Sequence, residues 1–218
     1  IDLNQFKLAE KLWGHRYIYK SFQDAYRFGP SADIGMMVKY SFTPRFSMDM
    51  AIMNGEGYTS LQADNTFKTS LGISYEPFPF LSGRIYYDYS RKSQVQSSLS
   101  TLLSLCIRKK VFLTAEYNHR YNESFLNNYE RYGYSIYLNY FYTDRIVVFA
   151  RFDKVLSSVL YGYSYPWNLA EDGSALIGGL EYHLRDNIAI SLNYQDWYPY
   201  ARNASNVSYI YFNLEYSL

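Results

Sequence analysis

The sequence predicts an all-β fold, a transmembrane, antiparallel, up-and-down β-barrel of about twelve strands. Three observations carry that expectation. Segment after segment alternates apolar and polar residues with a period of two, as a strand does when its side chains point to opposite faces in turn. Aromatic residues make up 20% of the 218 residues, 27 of them Tyr, and they gather at segment ends, where a ring with a polar tip suits the boundary between hydrocarbon and water. Short turns alternate with long loops along the chain, the asymmetry of outer-membrane barrels.

The clearest segment is the hairpin from Arg131 to Asp153. Tyr132, Tyr134, Ile136, Leu138, Tyr140 and Tyr142 share one face, and Thr143-Asp144-Arg145 turns the chain. Ile146, Val148, Ala150 and Phe152 then oppose Val147, Phe149, Arg151 and Asp153. The apolar face is bracketed by tyrosines, which is how a strand reads when its outer side meets lipid and its ends lie at the headgroups.

In chain order, Lys11 to Tyr19 reads as a strand with an ambiguous face, and Ser21 to Ser31, with Gly29-Pro30, as a loop. Strands over Ile34–Phe42 and Phe46–Ile52 flank Thr43-Pro44-Arg45. A longer loop, Asn54 to Asn65, leads to strands over Phe67–Tyr75 and Leu81–Tyr89, and a polar loop follows from Ser90 to Ser98. Leu99–Ile107 and Val111–Arg120 are joined by Lys109-Lys110. Tyr121 to Glu130 leads into the hairpin, and Leu156 to Ser174 is the longest loop. Leu176–Leu184 and Ile188–Gln195 flank Arg185-Asp186-Asn187, and the last strand, over Tyr209–Leu218, follows a loop from Trp197 to Asn206. Such segments match the roughly 9–11 residues that a tilted strand needs to cross a bilayer. An even strand count places both ends of the chain on the short-turn, periplasmic side, with the long loops outside.

Composition narrows the alternatives. No run of about 18 apolar residues exists, so no transmembrane helix is available. The single cysteine, Cys106, excludes an intramolecular disulfide framework. A formal net charge of +1 gives no global field for nucleic acid. A soluble barrel or sandwich shares the alternation, because there too one face is core and the other is wet. Strand number, tyrosines at strand ends and loop asymmetry all favour the membrane barrel, and closure removes the sheet edges that lipid forbids.

Several stretches carry a resemblance to a known family. They are Glu10-Lys11-Leu12-Trp13-Gly14-His15-Arg16-Tyr17, Ser21-Phe22-Gln23-Asp24, Ser31-Ala32-Asp33-Ile34-Gly35, Asn54-Gly55-Glu56-Gly57-Tyr58 and Gly179-Leu180-Glu181-Tyr182. The chain resembles Bacteroidetes outer-membrane porins grouped with the phosphate-selective porin O and P family. That resemblance implies further strands before the Trp-Gly stretch and a whole barrel of up to about sixteen strands. It also implies that Phe212 to Leu218 serves as the terminal signal read by the barrel assembly machinery, with Leu218 in place of the usual Phe.

With the apolar face towards lipid, the lumen receives Lys39, Lys68, Arg84, Arg108, Arg120 and Arg151 together with Asp49, Glu76, Asp88, Glu116, Asp153, Glu181 and Glu215. The signs nearly cancel. A phosphate-selective pore wants a row of one sign, so that selectivity is not carried over. The charges read either as cross-barrel ion pairs that compensate one another or as the lining of a water-filled path for small polar solutes. Tyr161, Tyr163, Tyr165 and Trp167 form the loop stretch suited to touching a partner or sugar, or to folding into the barrel mouth as a constriction. His15, His119 and His183 lack metal-ligand spacing, Gly-x-Ser-x-Gly is absent, and Asn54, Glu56 and Asp64 lack EF-hand spacing. The expectation is a non-enzymatic, cofactor-free porin-like channel, or else a non-conducting barrel that serves as a subunit or scaffold. Its partners are outer-membrane lipid and lipopolysaccharide, the assembly machinery, and further copies or other outer-membrane proteins.

Overall fold

The computed structural model describes residues 1–59 and 65–217. Among them eleven strands form one antiparallel sheet in strict sequence order, an up-and-down meander. They are β1 (Gly35–Thr43), β2 (Phe46–Met53), β3 (Lys68–Phe78), β4 (Leu81–Arg91), β5 (Val95–Ile107), β6 (Val111–Tyr121), β7 (Arg131–Phe141), β8 (Ile146–Ser157), β9 (Gly173–Arg185), β10 (Ile188–Pro199) and β11 (Val207–Tyr216). β1 and β11 are the two ends of that order, and both are exposed on nearly every residue of both faces.

The period of two sorts the side chains as the sequence implies. On β7 and β8, Ser135, Tyr137, Asn139, Val147, Phe149, Arg151 and Asp153 are buried, while Ile136, Leu138, Val148 and Phe152 are exposed. Leu214 on β11 is exposed too. The exposed face is thus a continuous apolar surface far larger than a soluble monomer tolerates. Tyr40, Phe42, Tyr75, Phe78, Phe80, Phe141 and Tyr142, all exposed, band it near the short turns.

Three expectations are overturned. Lys11 to Tyr19 is not a strand: residues 4–13 form a helix, α1 (Asn4–Trp13), so eleven strands stand where about twelve were expected. Leu3, Phe6, Ala9 and Trp13 recur at helical spacing, and Gly14 at φ +75° stops the helix by donating its N–H to the Glu10 carbonyl. The Ser90–Ser98 loop is mostly strand, with only residues 92–94 between β4 and β5, because serines occupy buried inner positions of a strand. The loop asymmetry therefore fails at that one connection. Ile1 donates to the Asp33 carbonyl where β1 starts, beside the long connections, and β11 runs towards the short turns.

Residues 1–34 lie on the buried face, and the sheet wraps around them. Leu3 and Phe6 pack on Ala51 and Met53 of β2, while Trp13 and Ile18 pack on Tyr137, Phe149 and Ile177 of β7 to β9. After a short helix, α2 (Phe22–Ala25), the chain returns past Phe28 to meet its own start, where Leu3 donates to the Ser31 carbonyl.

Candidate functional site

The interior of the sheet is the candidate site, and its chemistry is set by how residues 1–34 fasten to the wall. Arg84 on β4 grips Asp49 on β2 with both terminal nitrogens, at 2.7 and 2.8 Å, and its Nε donates to Gln5 Oε1 on α1 at 2.9 Å. Gln5 donates to Ser100 on β5 at 2.8 Å, and Gln23 donates to Asn118 on β6 at 2.6 Å. Arg151 on β8 pairs with Asp153 at 2.8 and 2.7 Å, donates to the Lys20 carbonyl at 2.7 Å, and holds its guanidinium 5.0 Å from the Trp13 ring. Arg84 and Arg151 thus each meet an aspartate and a carbonyl oxygen of the folded-in segment, which is what keeps these two buried cations tolerable.

Glu181 on β9 gathers three side chains. Tyr17 donates its hydroxyl at 2.7 Å, His183 Nε2 lies at 2.7 Å and His15 Nε2 at 3.5 Å. No spacing in the sequence joins these two histidines; a folded-in segment brings them to one carboxylate. Asn139 donates to the carbonyls of Leu12 and Trp13, capping the C-terminal end of α1.

The remaining expected lumen charges divide. Lys68 and Asp88 are buried on the inner face with Nζ 4.0 Å from the carboxylate, Glu116 is buried on the same face, and Arg120 and Glu215 are half-buried. Lys39, opposite Asp49 in the ladder, is exposed on the edge strand, and Glu76 is exposed near the end of β3. Arg108 is a correction: it sits in the β5–β6 turn at φ +51° and is exposed, so it is not an inner-face residue. The aromatic loop does not fold inward either. Tyr161, Tyr163 and Tyr165 are exposed, and Trp167 donates its Nε1 hydrogen to the Glu130 carbonyl and rests against Tyr129. Residues 1–34 occupy the interior in its place. Among the calcium candidates, Asp64 lies outside the described residues, as does Leu218 of the terminal stretch.

Two cavities open at the long-connection end. One of about 300 Å³ is lined by Tyr19, Tyr26, Arg27, Arg131, Glu171 and Trp197. The other, of about 210 Å³, is lined by polar residues including Glu56, Lys68, Ser90, Gln96, Arg120 and Ser124. Beside the first, Arg131 pairs with Glu123, and Asp172 is buried where it accepts the Ser157 hydroxyl at 2.7 Å. Burial pushes the Asp172 carboxyl above its ordinary value, and the Ser157 hydrogen bond only partly opposes that.

The quoted Trp-Gly and Ser-Phe-Gln-Asp stretches thus place Trp13, His15, Phe22 and Gln23 in the fastening between the inner segment and the wall, all buried. No protein-family profile matches this chain, and no curated protein is similar to it. Among solved structures it is similar to OccAB4 of Acinetobacter baumannii, an outer-membrane porin, with a TM-score of 0.59 at 11% identity over 83% of this chain. The chain spans 51% of that porin's length. The shared property is the fold, an up-and-down sheet of the porin barrel type.

Proposed function

We propose that this chain forms wall and inner constriction of a porin-like outer-membrane channel for passive diffusion of small polar solutes. One observation carries the reading: an apolar, aromatic-banded outer surface backs an inner face whose Arg84–Asp49 and Arg151–Asp153 pairs fasten a folded-in segment. The polar cavities at the long-connection end then serve as the vestibule. In this reading the long connections face outside, lipid and lipopolysaccharide cover the outer surface, and the assembly machinery inserts the barrel. No catalytic role is assigned. Among the described residues the outer edges of β1 and β11 have no paired strand, and in this reading they take further strands, because an open edge in hydrocarbon leaves backbone groups unsatisfied. The Bacteroidetes kinship drawn from the Trp13-Gly14-His15-Arg16 stretch belongs to this reading as well. Planar-bilayer recording of purified protein tests it, and conductance no higher than lipid background removes it.

A second reading has its own support. Residues 1–34 fill the interior with Trp13 and Phe22 fully buried, as a non-conducting barrel serving a larger assembly would require. Purification from native membranes separates the two: recovery as a lone barrel or homo-oligomer argues against the scaffold.

A further inference from the structure

The outer face carries a groove of about 580 Å³ between β3 and β7. Its floor is made by Gly83 on β4, Thr101 on β5 and Ala115 on β6. In the ladder Ile85 pairs with Thr101 and Thr101 with Tyr117, while Gly83 pairs with Leu103 and Leu103 with Ala115, so a small residue sits among large ones on three successive strands. Tyr75, Pro77, Tyr117 and Tyr134 stand as walls. The glycine is not demanded by the backbone: a Cβ at Gly83 would meet nothing closer than 3.6 Å.

One end of the groove, at Pro77 and Leu81, reaches the short-turn rim. There the β5–β6 turn presents Arg108, Lys109 and Lys110, all exposed, tied to the groove end by the hydrogen bond from Cys106 N–H to the Phe80 carbonyl. Arg45 adds a fourth cation, its Nη1 3.5 Å from the Pro77 carbonyl. Glu76 is the acid on this stretch, and Asp144 and Arg145 of the next turn cancel each other. Arg108 and Lys109 hold φ of +51° and +57°, a conformation that Gly and Asn adopt at least cost. This turn carries cations where its geometry favours other residues.

We propose that the groove and this turn form a binding site for one anionic glycerophospholipid, an acyl chain in the groove and the phosphate on Arg108, Lys109, Lys110 and Arg45. The charge of the rim picks the occupant: an apolar slot ending at a cation cluster and at exposed Tyr75, Phe78 and Phe80 matches a lipid at headgroup level. A second copy of this chain would bring four like charges against its own. The inference rests on the outer face meeting lipid.

Full-length protein in detergent micelles is titrated with phosphatidylglycerol, with phosphatidylcholine of the same chains, and with glycerol 3-phosphate, and bound lipid is counted by native mass spectrometry. One phosphatidylglycerol is retained in preference to phosphatidylcholine, and glycerol 3-phosphate is not retained. The exposed-turn variant R108Q/K109Q/K110Q weakens phosphatidylglycerol roughly tenfold or more. Gly83→Leu with Ala115→Leu, which fills the slot, weakens both lipids while gel mobility with and without heating shows the barrel intact. Equal retention of the two phospholipids, an unchanged affinity in the turn variant, or dimers that the slot-filling pair dissolves would overturn the site. A protein that stays soluble without detergent would instead remove the membrane reading itself.

Discussion

Arg84 reaches Asp49 across an intervening strand, and it does so through the space left by Gly72 of β3. A Cβ there would come within 2.1 Å of Arg84 Nη2 and 2.8 Å of Asp49 Oδ1. Asp49→Ala, which strands a buried guanidinium, destabilises the fold by about 3–5 kcal/mol in urea unfolding of the micelle-bound protein. Asp49→Ala combined with Arg84→Met costs less than Asp49→Ala alone, because no charge is then left uncompensated. Gly72→Val displaces the pair and falls between wild type and Asp49→Ala.

Trp13 is the anchor of the inner segment. Its ring meets Tyr137 and Phe149 at centroid distances of 5.8 and 6.0 Å, and its Nε1 hydrogen goes to the Tyr19 carbonyl at 2.8 Å. Trp13→Ala removes about 3–5 kcal/mol of packing. Single-channel recording then shows larger or noisier conductance than wild type, while the strand signal in circular dichroism is retained.

The outward face tolerates apolar residues only. Ile136→Lys, exposed at the middle of β7, costs about 2–4 kcal/mol in folding into liposomes. Tyr161→Ala, on a fully exposed loop residue, changes the same measurement by no more than about 0.5 kcal/mol.

Asp172 makes the loop before β9 sensitive to pH. Its folded carboxyl titrates above its unfolded value, so it binds its proton more tightly in the folded state. Its contribution is fully present below the unfolded value and is lost as pH rises through the folded one. Melting curves from pH 3 upward show this decline in wild type. In Asp172→Asn, which keeps an acceptor for the Ser157 hydroxyl, the decline is shallower.

Much of the wall is legible in the residues one after another. Alternation on segments such as Ile136-Leu138 and Val148-Ala150 separates two faces because a strand has no other way to point its side chains, and that argument needs no partner strand. The inner segment is legible in part: Leu3, Phe6, Ala9 and Trp13 at helical spacing, closed by Gly14, mark α1. A strand reading overrides them only when the chain is expected to be all wall.

Sequence alone determined the antiparallel meander, the outward apolar surface and most of the short turns, since each depends on neighbours within a few residues. The tertiary structure alone decided what fills the interior. Gln5 meeting Ser100, Trp13 meeting Phe149, and His15 and His183 sharing Glu181 join positions about 95 to 168 residues apart, and no local period records a contact at such separations.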